Sequence, residues 1–529
     1  MHEIITLQLG QQSNYLATHF WNTQESYFTY SEDDEPLIDH DVHFRPGLSL
    51  DNKTETFMPR TVIYDLKGAF GSMKKINALY EVDGDEPDPT QLDLQPMASG
   101  VWPGKTVLQK AEPIQPSPYT EALNSGLPPP RPSTSTVKYF SDFSRLYYHP
   151  RSVVQLNEFE VASTIQPFEQ FSTGEELFRE LDKEHDLLDR DLRFFAEEAD
   201  FMQGFQVFMG VDDAWGGFGT RYLERIRDEY GAKVAIWTWG LESPVRSMPR
   251  DKRLLRLANK SRSFTELYTH SSILVPLSLP SHLPSSLSNF DPTSPWHATA
   301  LFSSAVESAL LPSRLRGQKK ETLNTIIETL DLTGKQKMAG LQFSVNASPV
   351  SDFSKEISLD IGLSSPAGDQ IDAYSMRGRN VRTPRVFSQL VTSRGYSPEE
   401  MQGNEAEELD EKGRRVRKSA YEPITKTYSS PLAFPILDSF PEIFTVDKDS
   451  EEDDEERKKM EEQGREMTVR ITTSLSTDSG VCTRLRRLKD TVIKSIGLED
   501  REMLGNDLAD MADEYHEGWS SGSDSGEDD

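Results

Sequence analysis

Between Phe205 and Trp239 the chain runs strand, glycine-rich turn, helix, strand, and this order constrains the fold more than any other feature. Phe205-Gln-Val-Phe-Met209 is a short apolar run, and Gly210-Val-Asp-Asp-Ala-Trp-Gly-Gly-Phe-Gly219 follows it as a loop. Thr220 to Tyr230 reads as a helix stopped by Gly231 at its C′ position, and Val234 to Trp239 returns to a strand. Such a unit demands two parallel strands joined by a right-handed crossover. The fold class is therefore α/β.

Other segments supply further elements. Ile5, Leu7 and Leu9 alternate with polar residues, Gly10 punctuates a turn, and Tyr15 to Trp21 has helical spacing, so the chain opens strand–loop–helix. Thr61 to Leu66 and Ser271 to Leu277 read as strands, and Trp296 to Leu311 as a helix before Pro312. The spacing of Leu177, Leu181, Leu188, Leu192, Phe195 and Ala199 predicts one amphipathic helix from Glu176 to Asp200, with its apolar stripe on a core. Beyond about residue 330 the pattern weakens, though Thr468 to Ser474 alternates like a strand. Four segments result: 1–111, a proline-rich linker at 112–136, a second unit at 137–330, and a C-terminal α+β part at 331–529. Two acidic stretches, about 447–462 and 518–529, have the composition of disordered chain.

Charge and cysteine content remove several classes of function. Asp plus Glu number 87 against 57 Lys plus Arg, a formal charge of −30. Such a surface repels nucleic-acid phosphates and anionic lipids, so direct nucleic-acid binding is not expected. The one cysteine, Cys482, allows no internal disulfide and no zinc site built on cysteine pairs. The opening Met1-His2-Glu3-Ile4-Ile5 lacks the basic and apolar regions of a signal peptide, and no Lys or Arg precedes Arg45, which argues against a mitochondrial presequence. No apolar run is long enough to span a bilayer. The expectation is a soluble intracellular protein whose membrane association is peripheral.

Two glycine loops are candidates for phosphate binding. Gly100-Val-Trp-Pro-Gly104-Lys105-Thr106 mimics a phosphate loop but has one residue too few between its glycines, and reads as an ordinary turn. The 210–219 loop is better placed, between a strand and a helix whose dipole favours an anion. Asp212 and Asp213 put carboxylates into that turn, and Trp215 takes up space a phosphate would need. His40-Asp-Val-His43 has the residue types of a metal ligand set without an evident further partner, so no metal site is assigned. No G-x-S-x-G or H-E-x-x-H motif occurs, and no catalytic residue is assigned.

Three segments together resemble tubulin. They are Met1 to Asn14 with Phe20-Trp21, Pro59 to Leu66, and Gln203 to Tyr230 with its glycine loop. The departures matter as much: the tubulin glycine signature is replaced by Asp212-Asp213-Ala214-Trp215-Gly216-Gly217, the acid expected two residues after Asp65 is Lys67, and Gln12-Ser13 replace Cys-Gly. No counterpart of the late catalytic acidic loop is found. The pattern is similar to the misato family, called Dml in fungi, through the Gly210 to Gly219 loop, Tyr147 to Ser152, and Tyr374 to Gly378.

The resemblance implies a tubulin-like doubly wound sheet with helices on both faces. It implies a degenerate nucleotide site at Gly10, Gln11, Asn14, Asp65, Gly216, Gly217 and Gly219. It leaves GTP as an option without efficient hydrolysis; no cofactor is otherwise expected. It also implies a noncatalytic role in partitioning of mitochondria and inheritance of mitochondrial DNA, exerted from the cytoplasm and the cytosolic face of the organelle through mitochondrial or cytoskeletal proteins. Two alternatives stand beside it: a GTP-dependent switch or polymer, and a factor in cytoskeletal biogenesis that contacts a chaperonin or tubulin.

Overall fold

The structure is a computed structural model that describes residues 2–29, 36–48, 55–73, 114–243, 248–280, 289–317, 320–345, 357–359, 384–396, 422–444, 467–495 and 498–516, with 283 and 287. The Gly100–Thr106 turn, Tyr374–Gly378 and both acidic stretches lie outside the described residues.

A six-stranded sheet organises the N-terminal part. β1 (Ile4–Leu9), β4 (Thr61–Lys67), β5 (Val153–Glu160), β6 (Gly204–Gly210), β7 (Ala235–Leu241) and β8 (Ile273–Leu277) lie in the order β5-β4-β1-β6-β7-β8, and every pairing is parallel. A small antiparallel hairpin, β2 (Phe44–Leu48) and β3 (Glu55–Pro59), precedes β4. All residues of β1, β6 and β7 are buried. This is the signature of strands covered on both faces. On one face Ile4, Phe208, Trp237 and Trp239 meet Phe20 of α1 (Gln11–Ser26) and Phe302 of a later helix. On the other, Ile5, Leu7 and Val207 meet helices that carry Phe178, Phe218, Leu223 and Phe264.

In this one sheet β4 and β1 of segment 1–111 lie between β5 and β6 of segment 137–330, so the two segments form a single folding unit. The 112–136 stretch, read as a linker, carries a short helix, α2 (Pro118–Asn124). Ser117 caps it, and Tyr119 buries against the rest of the fold.

The helix expected over 176–200 is broken. α3 (Phe171–His185) stops where Asp186 takes a left-handed conformation (φ 45°), a π-turn follows at Leu188–Leu192, and α4 (Arg193–Glu197) resumes. Side chains drive the break: Asp182 Oδ1 accepts the Leu187 N–H at 3.0 Å, and buried Asp191 is held by the Tyr64 hydroxyl and the Arg190 guanidinium. The apolar spacing hid it because Leu177, Leu181, Leu188, Leu192 and Phe195 face the same core on both sides of the break.

α5 (Ala214–Tyr230), α6 (Arg250–His270) and α7 (Pro295–Ala309) complete the layers. Every residue of α7 from Trp296 to Ala309 is buried. A helix apolar or small on all sides belongs inside a fold, and α7 lies between the first sheet and a second one. α8 (Leu323–Leu330) leads into that sheet, whose order is β10-β9-β15-β11-β12. Its strands are β9 (Gly340–Val345), β10 (Ile357–Ser358), β11 (Val386–Arg394), β12 (Ile424–Ser430) and β15 (Ile471–Asp478). Only β11 and β12 pair parallel. β13 (Phe434–Ile436) and β14 (Met467–Val469) form a separate pair, so the strand expected at 468–474 is divided between β14 and β15. A final hairpin of α9 (Gly480–Ser495) and α10 (Leu498–Asp513) packs Leu485, Leu508 and Tyr515 onto the α6 side.

One buried ionic network ties these layers. Glu307 of α7, fully buried, receives Arg314 Nη2 at 2.9 Å, Gln24 Nε2 of α1 at 3.1 Å, and the guanidinium of Arg394 on β11. Arg394 also donates to the Tyr27 hydroxyl (2.7 Å) and to the carbonyls of Leu432 and Ala433. Removing one charge strands two guanidiniums in a dry interior. Glu307→Gln is expected to lower the unfolding free energy by about 3–5 kcal/mol, read as a shifted denaturant midpoint, whereas an unchanged midpoint would show that the network carries no net stability.

Candidate functional site

Strand order reverses direction around β1, because the chain steps from β1 to β4 on one side and later to β6 on the other. In open α/β sheets the crevice at the carboxyl ends of strands at such a switch point is where ligands sit. A cavity of about 390 Å³ lies there, walled by Gly10, Gln11, Gln12, Ser13, Asp65 and Trp215, with the loop after β5 over it.

The α1 side is built as an anion-receptive helix start. Gly10 has φ 89°, which glycine adopts freely. No side chain caps α1 and no acid lies in its first turn. Its first amides are therefore not engaged by a capping side chain. Asn14 positions Asp65: Nδ2 donates to Oδ2 at 2.7 Å, and the Leu66 N–H donates to Oδ1 at 2.8 Å. Burial nonetheless pushes Asp65 up to about 7, against those two bonds. Gly10, Gln11 and Asp65 line the cavity, and Asn14 stands behind Asp65.

The α5 side differs from the loop expected there. After β6 only Val211-Asp212-Asp213 forms a turn, and Gly216, Gly217 and Gly219 lie in the first two turns of α5. None of the three walls the cavity. A Cβ on Gly216 would meet the Ser263 hydroxyl of α6. One on Gly217 would overlap the Phe171 carbonyl at the start of α3, and one on Gly219 would meet Met209 and Leu9. These glycines let three helices and a sheet approach closely. Low helix propensity suggested a loop, but tertiary packing overrides it.

Both acids of the turn are engaged by the protein. Asp213 caps α5, its Oδ1 accepting the Trp215 N–H at 2.9 Å. Asp212 accepts the Ser243 N–H at 3.0 Å and the Ser243 hydroxyl at 3.2 Å, with Arg256 3.7 Å away. Burial raises both carboxyls, and the neighbouring Asp212 helps bring Asp213 to about 7. The Trp215 indole lies over Gly10, so that a Cβ there would come within 2.5 Å of Nε1, and it meets Phe168 edge-on at 5.2 Å. Residues unremarked in the sequence complete the walls: Glu160 at the end of β5, Ala162, Phe168 and Glu169 from the loop after it, Ser243 after β7, and Arg256 of α6. They come from four parts of the chain, so spacing gave no signal for them. Ala162 carries a positive φ of 58°, visible only in three dimensions.

The paired histidines belong to the core. His40 stacks on Phe28 at 3.9 Å, and His43 is buried against Phe20 and Trp21. Burial lowers both, His40 to about 4. Among the described residues no group of three or more His, Cys, Asp or Glu side chains is placed to hold a metal, and no helix is long and apolar enough to cross a membrane. Cys482 is buried, and burial raises its thiol.

Known families account for this arrangement. Residues 2–125 match the family described as Misato Segment II tubulin-like domain, and residues 129–315 match the Tubulin domain family. The chain is 52% identical to Protein dml-1 of Neurospora crassa and 43% identical to Protein DML1 of Gibberella zeae, across the full length of both partners in each case. It is 31% identical to Protein misato homolog 1 of Bos taurus over 63% of each chain. The chain belongs to the misato/Dml1 family. Its tubulin-like part holds the β1–β8 sheet, and the cavity stands at the switch point of that sheet.

Two outcomes test this description in a misato/Dml1 chain. Gly217→Ala drives a methyl into the backbone carbonyl of Phe171, so it is expected to cost about 1–3 kcal/mol in a denaturation curve. Gly216→Ala displaces the Ser263 hydroxyl from the Val211 carbonyl that it bonds at 2.8 Å, so it too is expected to cost about 1–3 kcal/mol. The second concerns pH. Asp65 has a folded pKa raised above its unfolded value, so between about pH 4 and 7 the folded state holds a proton the unfolded chain has lost, and this group's contribution falls as pH rises. Asp65→Asn removes the titration. Its unturned Asn14 neighbour has a buried Oδ1 without a partner, which the new amide can satisfy once Asn14 flips. The thermal midpoint of Asp65→Asn relative to the parent should therefore rise from pH 5 to pH 8, and parallel profiles would contradict the assignment.

Proposed function

We propose that this chain is a noncatalytic tubulin-like scaffold that acts in the partitioning of mitochondria and the inheritance of mitochondrial DNA. One observation carries the noncatalytic part: the Asp213 carboxylate occupies the start of α5, where a nucleotide-binding tubulin fold needs free amides, and Trp215 lies over Gly10 beside it. A carboxylate already bound to the helix start excludes phosphate by charge and by use of the donor. The mitochondrial part rests on family membership. The formal charge of −30 supports an indirect effect on the DNA, through mitochondrial or cytoskeletal proteins, with peripheral attachment at the cytosolic face.

Calorimetry of the full chain with GTP and GDP, with and without magnesium, tests the first part. The expected result is no binding in a folded sample. The uncapped start of α1 favours the second reading, a GTP-dependent switch; micromolar, magnesium-dependent binding would put it in the lead. For the cellular part, a clean deletion is expected to disturb mitochondrial distribution, and normal inheritance in slow-growing cells would remove the proposal.

A further inference from the structure

The cavity that repels phosphate has the chemistry of a cation site. Four carboxyl groups stand on its walls, Asp65, Glu160, Glu169 and Asp213, against one guanidinium, Arg256. Arg256 stands 3.7 Å from Asp212 with its Nη1 lacking a hydrogen-bond partner, and Glu169 is paired with Lys252 at 2.7 Å; the remaining acids are Glu160 and, beyond the bonds they already accept, Asp65 and Asp213. The indole of Trp215 and the ring of Phe168 form an aromatic corner between them. Aromatic faces next to carboxylates attract organic cations. A separate observation concerns Ser13. It is fully buried on the cavity wall, and its hydroxyl has no hydrogen-bond partner, so an acceptor is left for a donor that enters. Glu160, Ala162 and Pro167 at the rim are exposed, which gives such a group a way in from solvent. The α1 amides oppose this only as partial charges, while exposed Glu160 carries a whole one and an arriving cation would help Asp65 and Asp213 to ionise.

We infer that the cavity receives a guanidinium or ammonium group, seated against the Trp215 indole and bonded by Asp65, Asp213 and Glu160, and carried either by an arginine or lysine side chain of a partner protein or by a free amine. This rests on the reading that the site does not take nucleotide. Arrival of the cation would favour the ionised carboxylates, whose burial otherwise holds Asp65 and Asp213 near neutrality.

The test is calorimetry on the full chain with two probes, agmatine and an arginine-centred tripeptide amide, followed by GTP. Saturable binding is expected, and Asp213→Asn and Glu160→Gln should each weaken it about tenfold, the loss of one charge-assisted hydrogen bond. Asparagine still caps a helix, and Glu160 is exposed, so a folding defect does not explain both variants. Tighter binding of the tripeptide points to a partner's side chain, and equal binding to a free amine. If neither probe binds a folded sample, or both variants bind as the parent does, the inference falls while the scaffold reading stands. If GTP binds and displaces the probes, both fall together.

Discussion

Glu307 is held in the interior by donors from three separate stretches of chain. Gln24 comes from α1, Arg314 from the turn after α7, and Arg394 from β11 of the second sheet. An ion network with no solvent exposure gains little net energy over apolar packing, because desolvation offsets the attraction. What it does impose is geometry. Arg394 reaches the Tyr27 hydroxyl on the N-terminal side and the Leu432 and Ala433 carbonyls on the C-terminal side, so it satisfies its donors only when both sheets are docked on α7. The position of α1 follows from the same contacts, and α1 supplies one wall of the cavity.

The opposite face depends on closeness instead of charge. Gly217 lies against the Phe171 carbonyl and Gly216 against Ser263, so α5 sits between α3 and α6 at backbone range. Tight seating fixes the α5 start, and with it the Asp213 cap and the Trp215 indole above Gly10. The same glycines that resemble a phosphate signature thus serve the packing that sets Trp215 against Gly10.

This explains which parts could be read from sequence. Parallel strands announce themselves as apolar runs, and β1, β4, β6, β7 and β8 stand within two residues of where alternation and turns placed them. The break at Asp186 was not legible, because both sides of it keep their apolar residues on one core while the cause, the bonds of Asp182 and Asp191, is tertiary. Gly10, Gln11 and Asp65, taken from the tubulin resemblance, stand on the cavity wall because Gly10 and Gln11 follow β1 and Asp65 lies near the carboxyl end of β4. Gly216, Gly217 and Gly219 were misplaced, since composition cannot tell a glycine that frees a loop from one that admits a neighbouring helix. Phe168, Ser243 and Arg256 reach the cavity only through the crossovers of the sheet.

Two fields meet at the cavity, and their ranges decide its character. The α1 start offers partial positive charge that fades within one turn. Asp65, Asp212 and Asp213 sit where burial opposes ionisation, and Asp212 raises Asp213 further. An arriving polyphosphate would force these acids to stay protonated and would still meet the indole. An arriving cation lets them ionise and brings the compensating charge that burial denies them. A helix start suited to anions thus stands beside a single turn in which one acid caps the next helix and an aromatic side chain takes the space above the glycine.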